Sequence, residues 1–285
     1  MLGIKIERDP QTGDISISQR QYAKDMLEEF GMSDCHPGAT PMLPGLTLTK
    51  ELGTTTEEES KEYHSIYMSA VGCLMYLATQ TRPDIAYPVG ALACFNFNPG
   101  EAHWKAVKHL FRYIKGTLDY HITYSKLSSP SPSTHPFTTY SDADHGGCRD
   151  TGKSTGGYLV MINGGPVSWK SKLQCTVSLS TTEAEYIAGV EAGKELKWIR
   201  NLLWEMGHKV TGPSQLLMDN QSAIRVSKNP EHHGRMKHLD LAHYWLHDEV
   251  ARGSIDVHYV PTKEQLGDIL TKPLPLVQQL NICLE

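Results

Sequence analysis

Ten residues near the middle of the chain, Leu127-Ser-Ser-Pro-Ser-Pro-Ser-Thr-His-Pro136, constrain its fold more than any other stretch. Proline has no backbone donor to give a helix or a ladder, and a Ser/Pro run stays extended and solvated. The run reads as a linker over 127–136. At 285 residues the chain is long enough for two ordinary domains. The apolar pattern changes character across this boundary, from helical spacing before it to strand-like runs after it.

Before the linker, Leu2 to Ile6 and Ile15 to Ser18 flank the turn-rich segment Asp9 to Asp14, which predicts a β-hairpin. Ser18 with Gln21 has capping-box spacing, and Gly31 closes the helix that follows after Phe30. The Pro/Gly/Thr-rich stretch His36 to Thr56 reads as an exposed loop. Helices are expected from Glu57 to Ala78, from Pro83 through Ile85, Val89 and Leu92, and from Glu101 to Lys115, ending at Gly116.

After the linker, strands are expected over Phe137 to Ser141, Gly157 to Ile162 and Pro166 to Lys170. Asn163-Gly164-Gly165 is a strong hairpin signal between the last two. A long helix follows from Thr181 to Met206, then a strand (Gln215 to Met218) and helices over Ser222 to Lys228 and His238 to Arg252. A strand (Ile255 to Val260) and a short helix end the series. That order describes a mixed sheet covered by helices, an α/β layered domain. The five tryptophans (Trp104, Trp169, Trp198, Trp204, Trp245) are most simply core or interface residues.

The bulk numbers exclude several classes. Hydrophobic content of 39% and charged content of 21% are those of a soluble globular chain. No apolar run approaches the roughly 18 residues that cross a bilayer, and the first residues lack a signal-peptide core. The six cysteines are scattered without Cys-x-x-Cys spacing, against a zinc ribbon or disulfide framework and in favour of a reduced, intracellular compartment. The net charge is −5, yet Phe137 to Lys272 carries 15 Lys and Arg against 16 Asp and Glu. Setting aside four candidate metal ligands leaves that segment with three excess positive charges, compatible with a phosphate backbone.

Those four candidates are Asp142 in Thr-Tyr-Ser-Asp-Ala-Asp, Glu185 in Ser-Thr-Thr-Glu-Ala-Glu-Tyr, Asp219 in Leu-Leu-Met-Asp-Asn-Gln-Ser-Ala and Asp268 in Gln-Leu-Gly-Asp-Ile-Leu-Thr-Lys. Asp142 and Asp219 end strand-like runs, where α/β sheets open onto their ligand crevice. Ser180 and Glu183 have the spacing of an N-cap and its partner, which leaves Glu185 as the ligand on that helix. Convergent carboxylates repel unless hard cations lie between them, so the cluster reads as a Mg2+ site. A pair of such ions can drive phosphodiester hydrolysis. Asp144 reads as loop-solvated or as supporting its neighbours. His243 and His247 have metal-pair spacing but no third ligand.

These motifs, with Lys237-His238-Leu239-Asp240 and Val260-Pro-Thr-Lys-Glu-Gln-Leu-Gly-Asp-Ile-Leu-Thr-Lys-Pro273, resemble the ribonuclease H domain of copia-type LTR retrotransposon Pol polyproteins. Leu2-Gly-Ile, Ile15-Ser-Ile-Ser-Gln, Ser69-Ala-Val-Gly, Leu74-Met-Tyr-Leu-Ala, Thr81-Arg-Pro-Asp-Ile-Ala and His103-Trp-Lys-Ala-Val resemble the end of the reverse transcriptase palm and the region beyond it. The resemblance extends to about Leu274. It implies a mostly helical thumb/connection-like region with a β-hairpin over 1–126, a ribonuclease H-like domain over 137–274 and a tail over 275–285. It also implies hydrolysis of the RNA strand of RNA–DNA hybrids by Asp142, Glu185, Asp219 and Asp268, holding two Mg2+ ions, with Mn2+ able to substitute. One ion would activate a water and the other would stabilise the leaving 3′ oxygen. Asn220 and Gln221 are candidates for contact with 2′-hydroxyls in the minor groove. Arg235, Lys237 and His238 are candidates for phosphates, as are Lys153, Lys170 and Lys172. The expected partners are the hybrid and the rest of the polyprotein, with no membrane, in the cytoplasm (within a virus-like particle) or the nucleus.

Two departures stand out. The loop Thr262 to Gly267 holds no histidine before the fourth carboxylate, and Gly267 stands where the family pattern has alanine. Glycine there predicts a short helix loosened by about 1 kcal/mol. The polymerase signature, an aromatic residue followed closely by two aspartates, is absent. The chain therefore reads as a C-terminal fragment that does not synthesise DNA. Competing readings are an inactive module that grips hybrid duplex and a related DNA-strand nuclease or integrase-type enzyme.

Overall fold

The computed structural model describes residues 3–54, 57–126, 137–229 and 244–284. The expected linker therefore lies outside the described residues, as do Arg235, Lys237, His238 and the start of the helix expected from His238. The chain divides into two compact units, the first made of Met1–Lys126 with Lys272–Glu285 and the second of Leu127–Thr271. Among the described residues no helix is long and apolar enough to cross a membrane.

In the first unit β1 (Lys5–Arg8) and β2 (Ile15–Ser18) form the expected antiparallel hairpin. A three-residue strand that periodicity could not reveal, β3 (Ile122–Tyr124), joins the free edge of β2. Helix α1 (Arg20–Glu29) begins at Gln19, not at a Ser18 capping box, because Ser18 is the last residue of the β2 ladder. Gln19 is buried and its side-chain oxygen accepts from Thr81 Oγ1 at 2.8 Å. Three helices follow: α2 (Glu57–Gln80), α3 (Ala86–Ala93) and α4 (Glu101–Gly116). Ala106, Val107, Leu110, Phe111 and Ile114 recur at spacings of three and four on α4 and are buried against Tyr67, Leu74 and Leu77 of α2 and Met26 of α1. Each large apolar side chain so buried contributes about 1.5–3 kcal/mol.

The stretch read as an exposed loop is partly packed. Thr40 and Met42 are buried, and the His36, Gly38 and Thr40 backbones bond to Arg112 and His109 of α4. The last helix of this unit, α8 (Leu276–Leu284), carries the buried Gln279.

A closed polar cluster sits inside this unit. Arg82 donates from Nε and Nη2 to the two oxygens of Asp84 at 2.9 and 2.7 Å, and from Nη1 to the Thr117 carbonyl at 3.0 Å. Tyr113 Oη donates to Asp84 Oδ2 at 2.8 Å. The guanidinium lies 5.6 and 5.2 Å from the Tyr113 and Tyr120 ring centres. Every polar atom of the pair meets a partner, the condition under which a charge pair survives burial.

The second unit is the α/β layered domain that the pattern after the linker implied. Among the described residues its five strands are β4 (Phe137–Ala143), β5 (Thr155–Ile162), β6 (Gly165–Leu173), β7 (Ser214–Met218) and β8 (Ile255–Tyr259), in the order β6-β5-β4-β7-β8. The first three are antiparallel, and β7 and β8 run parallel to β4. The β5–β6 turn is Asn163-Gly164, both with positive φ (53° and 81°), as a two-residue hairpin of the type I′ class requires.

Helices α5 (Thr181–Glu205), α6 (Gln221–Lys228) and α7 (Tyr244–Ala251) flank the sheet. The buried stripe of α5 runs through Ala192, Leu196, Ile199 and Leu203. Trp198 and Trp204 fall off that stripe and are 58% and 64% exposed, which corrects their reading as core residues. The short helix expected after β8 is two 3-10 turns, Thr262–Glu264 and Leu266–Leu270.

Candidate metal centre

Topology brings the carboxylates together before any side-chain detail is considered. In the parallel β4–β7 ladder Tyr140 pairs with Leu217, so two residues further on Asp142 and Asp219 stand level at the ends of adjacent strands. Asp142 lies in β4, the middle strand of five, and Asp219 follows the last residue of β7. Glu185 lies just over one turn into α5. The helix start is fixed by Ser180, whose Oγ accepts from Glu183 N–H at 3.2 Å, while the Glu183 carboxylate accepts from Leu179 N–H at 2.9 Å. Glu183 is thereby engaged at the cap, and Glu185 faces the sheet with a 6% exposed side chain.

Asp142, Glu185 and Asp219 each offer a carboxylate oxygen, and these three atoms lie within 4.8 Å of one another. Asp142 and Glu185 are buried and Asp219 is half-buried. Three anionic groups at that separation repel by several kcal/mol in a partly buried setting, taking about 332/(εr) with an effective ε near 20. Hard oxygen donors converging on one point match Mg2+ or Mn2+ rather than a softer metal. The donor set therefore fits a divalent cation.

Asp268 stands outside that trio. It is 1% exposed, on the 3-10 turn that lies over the end of β4. That turn is not the loosened helix that a glycine at 267 suggested. A Cβ at Gly267 would lie 3.1 Å from Asp142 Cβ and 3.1 Å from Gln265 Oε1, so the missing side chain brings the turn close to Asp142. Gln265 fastens it, donating to the Ser141 carbonyl at 3.0 Å and accepting from Gly267 N–H at 3.0 Å. Thr271 and Thr262, two contacts of this segment that motif reading missed, donate to Asp142 and Asp219 respectively.

The other candidates are placed as follows. Asn220 caps α6, its Oδ1 accepting from Ala223 N–H at 3.0 Å, and Gln221 is exposed beside it. Asp144 accepts from Thr155 N–H across the mouth of the β4–β5 hairpin. Lys170 pairs with Glu191 at 3.2 Å.

Comparison with known proteins finds relatives along the whole chain. The chain is 41% identical over 287 residues to the retrovirus-related Pol polyprotein from transposon TNT 1-94 of Nicotiana tabacum, a match covering 100% of this chain and 21% of that protein. It is 39% identical over 280 residues to the Pol polyprotein from transposon RE2 of Arabidopsis thaliana, covering 98% of this chain and 18% of that protein. Among solved structures, an RNase H1 isolated from compost matches with TM-score 0.34 and 16% identity, covering 48% of this chain and 94% of its own. No family model matches. The chain belongs to the retrovirus-related Pol polyproteins of copia-type transposons. It spans about one fifth of the length of the relatives it matches first.

Proposed function

We propose that the second unit is an endoribonuclease that hydrolyses the RNA strand of RNA–DNA hybrids. The observation that carries this reading is the convergence of Asp142, Glu185 and Asp219 within 4.8 Å at the open end of the sheet, in a chain of the Pol family. These three residues would hold the catalytic cations, two Mg2+ or Mn2+ ions, with Asp268 as a further ligand. When bound, the ions supply an acidified water and a Lewis acid for the scissile phosphate and its leaving 3′ oxygen.

The protein's own part is to fix the acceptors and position the duplex. The two strand ends hold Asp142 and Asp219 level, and the capped first turn of α5 presents Glu185 to them. Asn220 keeps its amide N–H groups for a 2′-hydroxyl while its oxygen caps α6, and Gln221 beside it is exposed. Arg235, Lys237 and His238 would bind phosphates. The sequence carries no polymerase signature, and no DNA synthesis is expected from this chain. The remaining polyprotein is the expected partner and the reading implies an intracellular setting.

The test is cleavage of an end-labelled RNA strand paired with DNA, in Mg2+, with Asp219→Asn alongside. Cleavage by the wild type alone, sparing RNA–RNA and DNA–DNA duplexes, is the expected result. Hybrid binding without cleavage in Mg2+ or Mn2+ would replace this reading with that of a binding module.

A further inference from the structure

Two of the three converging carboxylates are held from a fourth direction. Residues 262–271 return across the ends of β4 and β7, and a threonine hydroxyl at each end of the segment meets a carboxylate. Thr262 Oγ1 donates to Asp219 Oδ2 at 3.0 Å on the exposed side. Thr271 Oγ1 donates to Asp142 Oδ2 in the interior, where Thr271 is 0% exposed. The Thr271 hydroxyl has a second acceptor in reach, the Asp268 carbonyl at 3.2 Å. That carbonyl already accepts the Thr271 amide N–H at 3.2 Å. A carboxylate oxygen is the stronger acceptor, so the hydroxyl belongs to Asp142.

The berth for this contact is cut into the sheet. Gly157 pairs with Asp142 across the β4–β5 ladder. A Cβ at position 157 would lie 2.6 Å from Leu270 Cβ and 3.1 Å from Thr271 Cγ2. Any side chain there would lift Leu270 and Thr271 away from the strand end. Gly267 lets the turn approach Asp142 closely, and the Gln265 amide ties the turn to the Ser141 carbonyl next door. Three separate features thus deliver one hydroxyl to one oxygen. The torsion that turns a carboxylate about its Cβ–Cγ bond is broad and weakly selected on its own. A directed hydrogen bond to one oxygen selects its orientation.

We propose that Thr271 is a positioning residue of the metal centre, orienting the Asp142 carboxylate through the hydroxyl bond to Oδ2. The inference rests on the metal-dependent reading above. It deepens that reading by extending the working site to the Leu-Thr-Lys segment beyond the fourth carboxylate.

The experiment uses the full chain and reads Mn2+ binding by calorimetry without nucleic acid, followed by hybrid cleavage. Thr271→Val keeps the shape and removes the hydroxyl. It is expected to weaken Mn2+ binding by about 10- to 100-fold, the usual cost of losing a partner that orients a ligand. The kcat should fall with it while KM for the hybrid is unchanged. Thr271→Ser restores the hydroxyl without the methyl group and is expected to bind Mn2+ as the wild type does. A Val variant equal to the wild type, or a Ser variant as impaired as the Val variant, overturns the positioning role and leaves the site reading intact. A wild type that binds no Mn2+ overturns both. If the Val variant fails to fold, the Ser variant decides alone, because a purely structural role would tie the defect to the lost methyl group.

Discussion

The Asp84 carboxylate of the first unit and the carboxylate trio of the second are held in opposite ways. In the first, Asp84 meets Arg82 through two bonds and Tyr113 through a third, with both members of the ion pair almost fully buried. Burial works against the Arg82 charge, but Asp84 beside it more than offsets this and raises the guanidinium pKa above its ordinary value. Burial likewise pushes the Tyr113 hydroxyl up. In the second unit, Asp142, Glu185 and Asp219 face one another. A buried charge matched within the fold is architecture, and its neutralisation harms stability. A cluster of carboxylates converging on one point has the donor set of a divalent-cation site. The same substitution, Asp→Asn, therefore separates the two.

The largest expected effect is on chemistry. Asp219→Asn should lower Mg2+-dependent hybrid cleavage by on the order of a thousandfold, the scale of losing a central electrostatic group. Binding of the hybrid in a gel-shift assay should persist; parallel loss of both would remove Asp219 from its assigned role. Next, Asp84→Asn should destabilise the first unit by about 3–5 kcal/mol, because Arg82 is left buried without its counter-charge. Amide exchange in α4 reports this locally, and Mn2+ binding should stay at the wild-type level. A silent Asp84→Asn would undo the contrast.

Gly157→Ala should cost about 1–3 kcal/mol through overpacking against Leu270. The loss should appear as faster exchange over 266–271 together with weaker Mn2+ binding. The smallest effect carries the opposite sign. In EDTA, Asp142→Asn should stabilise the second unit by about 1 kcal/mol, the scale of relieving one like-charge contact in a partly solvated setting. Adding Mg2+ should stabilise the wild type and leave the variant unmoved. An Asp142→Asn protein less stable than wild type in EDTA would mean the carboxylates are matched from within after all.

Legibility in the sequence followed the range of the interactions. Asp142, Glu185 and Asp219 could be picked out because each sits at a recognisable position, a strand end or the first turns of a capped helix, in a motif a few residues long. The mixed sheet was legible for the same reason, since period-two runs and Asn163-Gly164 are local signals. What stayed hidden depends on contacts between distant segments. β3 has three residues, too few for any period, and exists because β2 offers an edge. Gly157 only opens an expected strand, and its purpose appears when Leu270 arrives from 113 positions away. Thr271 is an ordinary threonine until the chain folds back onto Asp142. Gly267 shows the hazard of propensity used alone, for the same missing methyl that weakens a helix lets a turn approach the site.

The two-segment make-up of the first unit has a consequence for how the protein is born. Its helices α1 to α4 leave the ribosome before the second unit, but residues 272–284 of the same unit emerge after it. Domains translated first ordinarily fold first. Here Gln279, which reaches to within 3.5 Å of the Tyr113 hydroxyl, is made only after the second unit. The second unit, contiguous in the chain, can finish before the first. A chain cut a few residues short of Thr271 would carry an α/β domain without its Asp142 clasp and a helical unit without α8.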